Sequence, residues 1–217
     1  MKTEISISRR RMIQNIALAT AGIGLAQFTS CKEEKGREND QKEMRSLLPF
    51  YLPPQIPLQP GSLGIDIRTW VKSSQTNLQF SCVETAVAPL KMGSAPHVHK
   101  DLDELMLVLE GTATVIVDGK IEEIKAGGWN FRPRKLEHTF WNSTEKPLRL
   151  IDMYFNQNFE DFLEELFHKI SPYMIKNHLT PQDPKIAERL RNLDKRFGIT
   201  TFREKRQPII NKFGLKG

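Results

Sequence analysis

Three of the five histidines in the 217 residues fall in one stretch with a glutamate, at spacings a metal ion would use. His97 and His99 stand two apart in Pro-His-Val-His. Alternate residues of an extended strand face one way, so both imidazoles can point to one side. Glu104 opens Glu-Leu-Met-Leu-Val-Leu-Glu-Gly, an apolar run that reads as a buried strand ending at Gly111. His138 follows in Glu-His-Thr-Phe-Trp-Asn, on the same strand face as Phe140 and Asn142. Three imidazoles and a carboxylate make the ligand set of one divalent transition metal with open positions, not of a closed structural zinc. Fe, Mn, Ni, Co and Zn all suit such ligands. In six-coordinate geometry two sites remain, enough for a bidentate substrate or for substrate plus dioxygen. Glu104 has a second candidate role, as a general base reaching a substrate hydroxyl.

Short strands must position these groups. Alternating or apolar runs cover 65–71, 78–86, 104–110, 112–117, 121–124, 129–131, 137–142 and 148–155, and Asp118-Gly119 marks a hairpin turn. Many short strands with turns between them imply an all-β antiparallel jelly roll. On 104–109 one side carries Glu104, Met106 and Val108 and the other Leu105, Leu107 and Leu109, so both sides ask for burial. The Leu side needs a cover: the proline-rich arm, the C-terminal helices or a second subunit, which makes a homodimer one of three solutions. Met106, Val108, Phe131 and Phe140 are the candidate walls of a largely apolar substrate pocket, or simply core.

The same residues resemble the cupin superfamily. Its first motif, His-x-His-x4-Glu-x6-Gly, is met by His97, His99, Glu104 and Gly111. Its second, Gly-x5-Pro-x-Gly-x2-His-x3-Asn, is met by Gly127, Pro133, His138 and Asn142. Lys135 stands where the second motif has Gly, a residue that usually supplies a positive φ, and the Gly before the first His is Gly93 rather than residue 91. The resemblance spans roughly 62–156. It implies a double-stranded β-helix barrel and a metal site at His97, His99, Glu104 and His138. Quercetinase-like members suggest a small-molecule dioxygenase, with Fe or Mn favoured. A non-redox isomerase, lyase or decarboxylase on a sugar or organic acid is the alternative, and a non-catalytic carbohydrate- or metal-binding protein the third.

The remaining segments flank that barrel. Residues 1–31 have a basic head with Arg9, Arg10 and Arg11, a short apolar stretch, and small residues before Cys31. They read as a signal of twin-arginine and lipoprotein type, with Cys31 the lipidation site. This predicts an exported, periplasmic or outer-membrane lipoprotein of a bacterium that meets membrane only through its anchor. Export of a folded protein would let the metal load in the cytoplasm, free of the affinity series that favours copper or zinc. Residues 32–61 form a charged tether and a Pro-rich extended arm expected to pack along the barrel. Residues 157–217 form a helical extension, with one helix starting near Asn158 and a second at Asp183-Pro184, both expected to pack outside the barrel. Half of the net charge of +6 sits in the first 31 residues, so the basic balance gives no reason to expect nucleic acid. Two cysteines are too few for a disulfide framework. Lys135 reads by default as a solvent-facing turn lysine, its other candidate role being to hold an anionic substrate at the barrel mouth.

Overall fold

The computed structural model describes residues 46–216; the leader, Cys31 and most of the charged tether lie outside them. Among the described residues, eleven strands fold into two antiparallel sheets. The first runs β1 (Ile65–Val71), β2 (Phe80–Val87), β10 (Leu148–Phe155), β5 (Asp103–Glu110), β8 (Trp129–Arg132). The second runs β11 (Ile199–Thr201), β4 (His97–His99), β9 (His138–Asn142), β6 (Thr112–Val117), β7 (Lys120–Lys125), with β3 (Lys91–Met92) also on β9. This is the antiparallel jelly-roll barrel expected from the strand pattern. Asp118 and Gly119 both take positive φ, 49° and 77°, as the two-residue turn between β6 and β7 requires.

The helical extension closes one end of the barrel. α1 (Phe159–Glu165) passes through a π-helical turn (Leu166–Ile170) into α2 (Ser171–Lys176), and α3 (Pro184–Arg196) follows. Phe159, Ile170, Ile186 and Leu193 form one core with Ile67, Val83 and Tyr154 of the first sheet. The chain then adds two elements absent from the sequence reading. β11 pairs with β4, setting Ile199 opposite His99 and Thr201 opposite His97. α4 (Arg206–Phe213) lies on the outer side of the second sheet, where Ile210 and Leu215 bury Met92 and Trp141. A separate core inside the barrel joins Met106, Val108, Val115, Phe140 and Leu150.

The arm behaves differently from expectation. It reaches the barrel at Leu58, whose N–H donates to Glu84 (3.5 Å), and at Ile56, whose carbonyl accepts from Arg68 (3.0 Å). Residues 46–57 are nonetheless exposed, Tyr51 at 80%. Prolines 49, 53, 54 and 57 lack the N–H groups with which an arm could join a sheet.

Candidate metal centre

The four ligands come from both sheets: His97 and His99 on β4, His138 on β9 and Glu104 on β5. Pairing sets His97 directly opposite His138. One donor atom from each lies within 4.8 Å of all the others. His99 Nε2 is 2.8 Å from Glu104 Oε1, His97 Nε2 4.0 Å from the same atom, and His138 Nε2 3.5 Å from Oε2. His99, Glu104 and His138 are buried, and His97 keeps 12% of its side chain exposed.

Backbone carbonyls fix two of the rings. His97 Nδ1 lies 2.8 Å from the Ala95 carbonyl and His138 Nδ1 3.0 Å from that of Leu136. A carbonyl only accepts, so Nδ1 carries the proton and Nε2 turns a lone pair into the cluster. Burial, against the pull of Glu104, lowers both His99 and His138, the latter to about 4, so both are neutral near pH 7. His138 Nε2 has no hydrogen-bond partner, and His99 Nε2, though near Glu104, is not aligned for one. Buried lone pairs facing a carboxylate suit a cation between them. The donors fit a divalent transition metal.

An arginine missed by the sequence reading completes the site. Cross-strand pairing lays Ser81, Tyr154, Glu104 and Arg132 in one row on the inner side of the first sheet, with Val83, Asp152, Met106 and Asn130 in the next. The fully buried Arg132 sets Nη2 3.0 Å from Glu104 Oε2 and pairs with Asp152, while its Nε has no acceptor. Burial alone would raise Glu104. The Arg132 charge, with His138 and His97, outweighs it and holds the carboxyl well below its usual range. A carboxylate held ionised is available to bind a cation. Asp152 is the opposite case. Burial pushes it up, against Arg132, to about 6, and Tyr154 donates its hydroxyl to Oδ2 at 3.4 Å.

The expected pocket needs correction at one wall. Met106, Val108 and Phe140 do face inward, where Phe140 lies 5.6 Å from the Arg132 guanidinium. Phe131 faces out, 55% exposed, as does Trp129 at 51%. β8 turns Asn130 and Arg132 inward because they lie opposite Met106 and Glu104. Apolar-in, polar-out patterning fails here because the charges have partners inside. Phe159 supplies an aromatic wall not foreseen, its ring 4.9 Å from His99 and 4.8 Å from Tyr154. Lys135 holds φ at +68°, the conformation Gly would supply, and its N–H donates to the His99 carbonyl at 2.8 Å.

Residues 83–154 match the family model described as "Cupin domain". That match runs from β2 to β10. One curated relative, an uncharacterized protein of Aquifex aeolicus, is 30% identical over 56 residues, 26% of this chain and 46% of its own length. The match therefore spans about half of that relative. KdgF from Halomonas sp. is 18% identical, with a TM-score of 0.41 over 45% of this chain and 84% of its own. The polyketide cyclase RemF from Streptomyces resistomycificus is 24% identical, with 0.39 over 46% and 70%. A predicted oxalate decarboxylase from Thermotoga maritima is 19% identical, with 0.39 over 42% and 79%. Each name describes its own protein.

Proposed function

We propose that the cupin barrel is a mononuclear-metal enzyme acting on a small organic anion by acid–base chemistry: an isomerase, lyase or decarboxylase. The pairing of Arg132 with both Glu104 and Asp152, inside the barrel and beside the metal ligands, carries this reading. His97, His99, Glu104 and His138 would hold the ion, which when bound polarises a substrate oxygen. A divalent charge there, with Arg132, Glu104 and Asp152, leaves one positive charge in excess, matched to a carboxylate or enolate. Arg132 draws that group in. Asp152 exchanges a proton near neutral pH at a carboxyl facing Tyr154. Phe159 and the helical end keep bulk water from His99.

A dioxygenase is the second reading, favoured by Phe140 and Phe159, whose rings suit a flat substrate on Fe or Mn. The metal-loaded protein is offered hydroxy-, keto- and enol-acids without oxygen, then flavonols and catechols with it. Product without oxygen supports the first reading. Oxygen uptake above that of His138→Ala supports the second. Thermal stabilisation by a ligand with no product in either arm leaves a binding protein and sinks both.

The site's location is part of the proposal. Residues 1–31 support export as a lipoprotein anchored at Cys31, tested by mass spectrometry of the mature N-terminus from native envelopes. An unmodified chain beginning at Met1 overturns it.

A further inference from the structure

The two histidines of β4 are held largely by the far end of the chain. β4 is three residues long, and its pairing with β9 is the single pair His97–His138. β11 gives it three pairs, and the zip continues past both ends. Lys100 N–H donates to the Gly198 carbonyl at 2.9 Å, and Phe202 N–H to that of Pro96 at 2.8 Å. Those two bonds set the alternation of the ladder. Thr200 and Val98, midway between them, form a hydrogen-bonded pair, whereas Ile199–His99 and Thr201–His97 are non-hydrogen-bonded pairs, whose side chains stand closest. Each imidazole of β4 therefore has a β11 side chain as its neighbour on the same side of the sheet.

Beyond β11 the chain crosses to the strand of the third histidine. Lys205 pairs with Glu137, the residue before His138, at 2.5 Å, and the Phe213 ring lies 4.6 Å from that of Trp141 on β9. This segment is buried at Ile199, then again only at Ile210 and Leu215, with Thr200, Arg203, Glu204 and Lys205 exposed between them. A stretch with so few buried contacts opens locally at low cost.

We propose that residues 198–216 are the positioning element of the metal centre: a strap that keeps β4 and β9 in the arrangement the ion requires, and that the ion in turn holds closed. This rests on the metal reading of His97, His99, Glu104 and His138. With the strap open, His97 and His99 sit on a strand joined to its sheet by one residue pair, and the donors lose their fixed spacing. Ligation fixes β4, so the ion favours the closed strap by the same factor by which the closed strap favours the ion.

The Thr200 side chain is exposed, so Thr200→Pro removes one ladder N–H without touching the core, and Thr200→Ala keeps that N–H. Zn(II) affinity is measured by chelator competition, and hydrogen exchange is followed in the metal-free and Zn(II)-loaded full-length chain. Thr200→Pro is expected to bind Zn(II) at least about 5-fold more weakly and Thr200→Ala to match wild type. In wild type, Zn(II) should slow exchange at 198–202 by at least about 5-fold while leaving the exposed β7 strand unchanged. A metal-free Thr200→Pro that melts lower yet binds Zn(II) as wild type does would make β11 merely structural and overturn the proposal. Exchange at 198–202 indifferent to Zn(II) overturns it too, and that wild-type comparison decides the matter even where the proline variant does not fold. Wild type that binds no Zn(II) sinks the metal reading and the strap with it, whereas tight binding beside an indifferent strap sinks the strap alone.

Discussion

The two sides of β5 invert the usual rule for a half-buried strand. Inside, Glu104 belongs to a network with Arg132, Asp152 and three histidines, all in the same small volume. Outside, Leu105 and Leu107 join Trp129 and Phe131 at the surface. Burying charge is costly unless it is paired, and exposing a contiguous apolar patch is unfavourable unless it is covered. One strand carrying both exceptions gives two places to test: the candidate ion site within and the apolar side without. Substitutions on either side should therefore have separable effects.

Removing a ligand should produce the largest effect and confine it to the inside. His138→Ala is expected to weaken metal binding by more than the ~100-fold that loss of a ligand-supporting group can cost, measured by chelator competition. Metal held at wild-type affinity would break the assignment of the cluster.

Removing the arginine comes next. Arg132→Met strands two buried carboxylates, and breaking such a network typically costs about 3–5 kcal/mol. Saturating metal would re-pair Glu104, so the deficit in urea midpoint should be smaller in the loaded protein than in the metal-free one. Equal deficits would mean that Arg132 supports the barrel without reference to the metal.

Acid acts on the inner side in two directions. His138 goes from an ordinary 6.5 unfolded to about 4 folded. At about 1.4 kcal/mol per unit it contributes on the order of 3 kcal/mol, full above pH 6.5 and lost as pH falls toward 4. Asp152, at 3.8 unfolded and about 6 folded, favours folding below 3.8 and loses that contribution as pH rises through 6. The two nearly cancel between these limits, and His99, also lowered, tips the balance toward loss in acid. Asp152→Asn deletes the opposing part. Metal-free Asp152→Asn should therefore lose stability more steeply than wild type from pH 6.5 to 4, as read from denaturation midpoints.

How much of this was legible in the sequence differs between the two sides. The candidate ligands were, because His97, His99, Glu104 and His138 keep the spacings of a metal-binding motif on extended runs. The eight strands given by alternation all formed, within two residues at each end. The need for a cover over Leu105 and Leu107 was also visible. Arg132 and Asp152 were missed because Trp-Asn-Phe-Arg, judged alone, puts its aromatics inside. A lone acid in Leu-Arg-Leu-Ile-Asp-Met-Tyr-Phe was the available signal, since an acid among apolar residues calls for a buried cation. β11 was hidden for another reason: a three-residue strand has too little periodicity to detect and forms only because β4 offers it an edge.

The smallest effect concerns the turn that leads into His138. At φ +68° Lys135 occupies a region that costs an L-residue about 1–2 kcal/mol, whereas glycine enters it freely. Glycine loses more entropy on folding, roughly 0.5–1 kcal/mol, so Lys135→Gly should gain at most about 1.5 kcal/mol, a rise of a few degrees in melting temperature. Metal affinity should not change, because the turn's bond from residue 135 N–H to the His99 carbonyl is backbone and survives. The informative outcome is a stabilised variant that binds the proposed small organic anion more weakly. Strain kept at a site is explained when the strained side chain does something glycine cannot. A stabler barrel with poorer substrate capture would assign that role to the Lys135 ammonium, while a stabler barrel with unchanged capture would leave Lys135 as a tolerated departure from glycine.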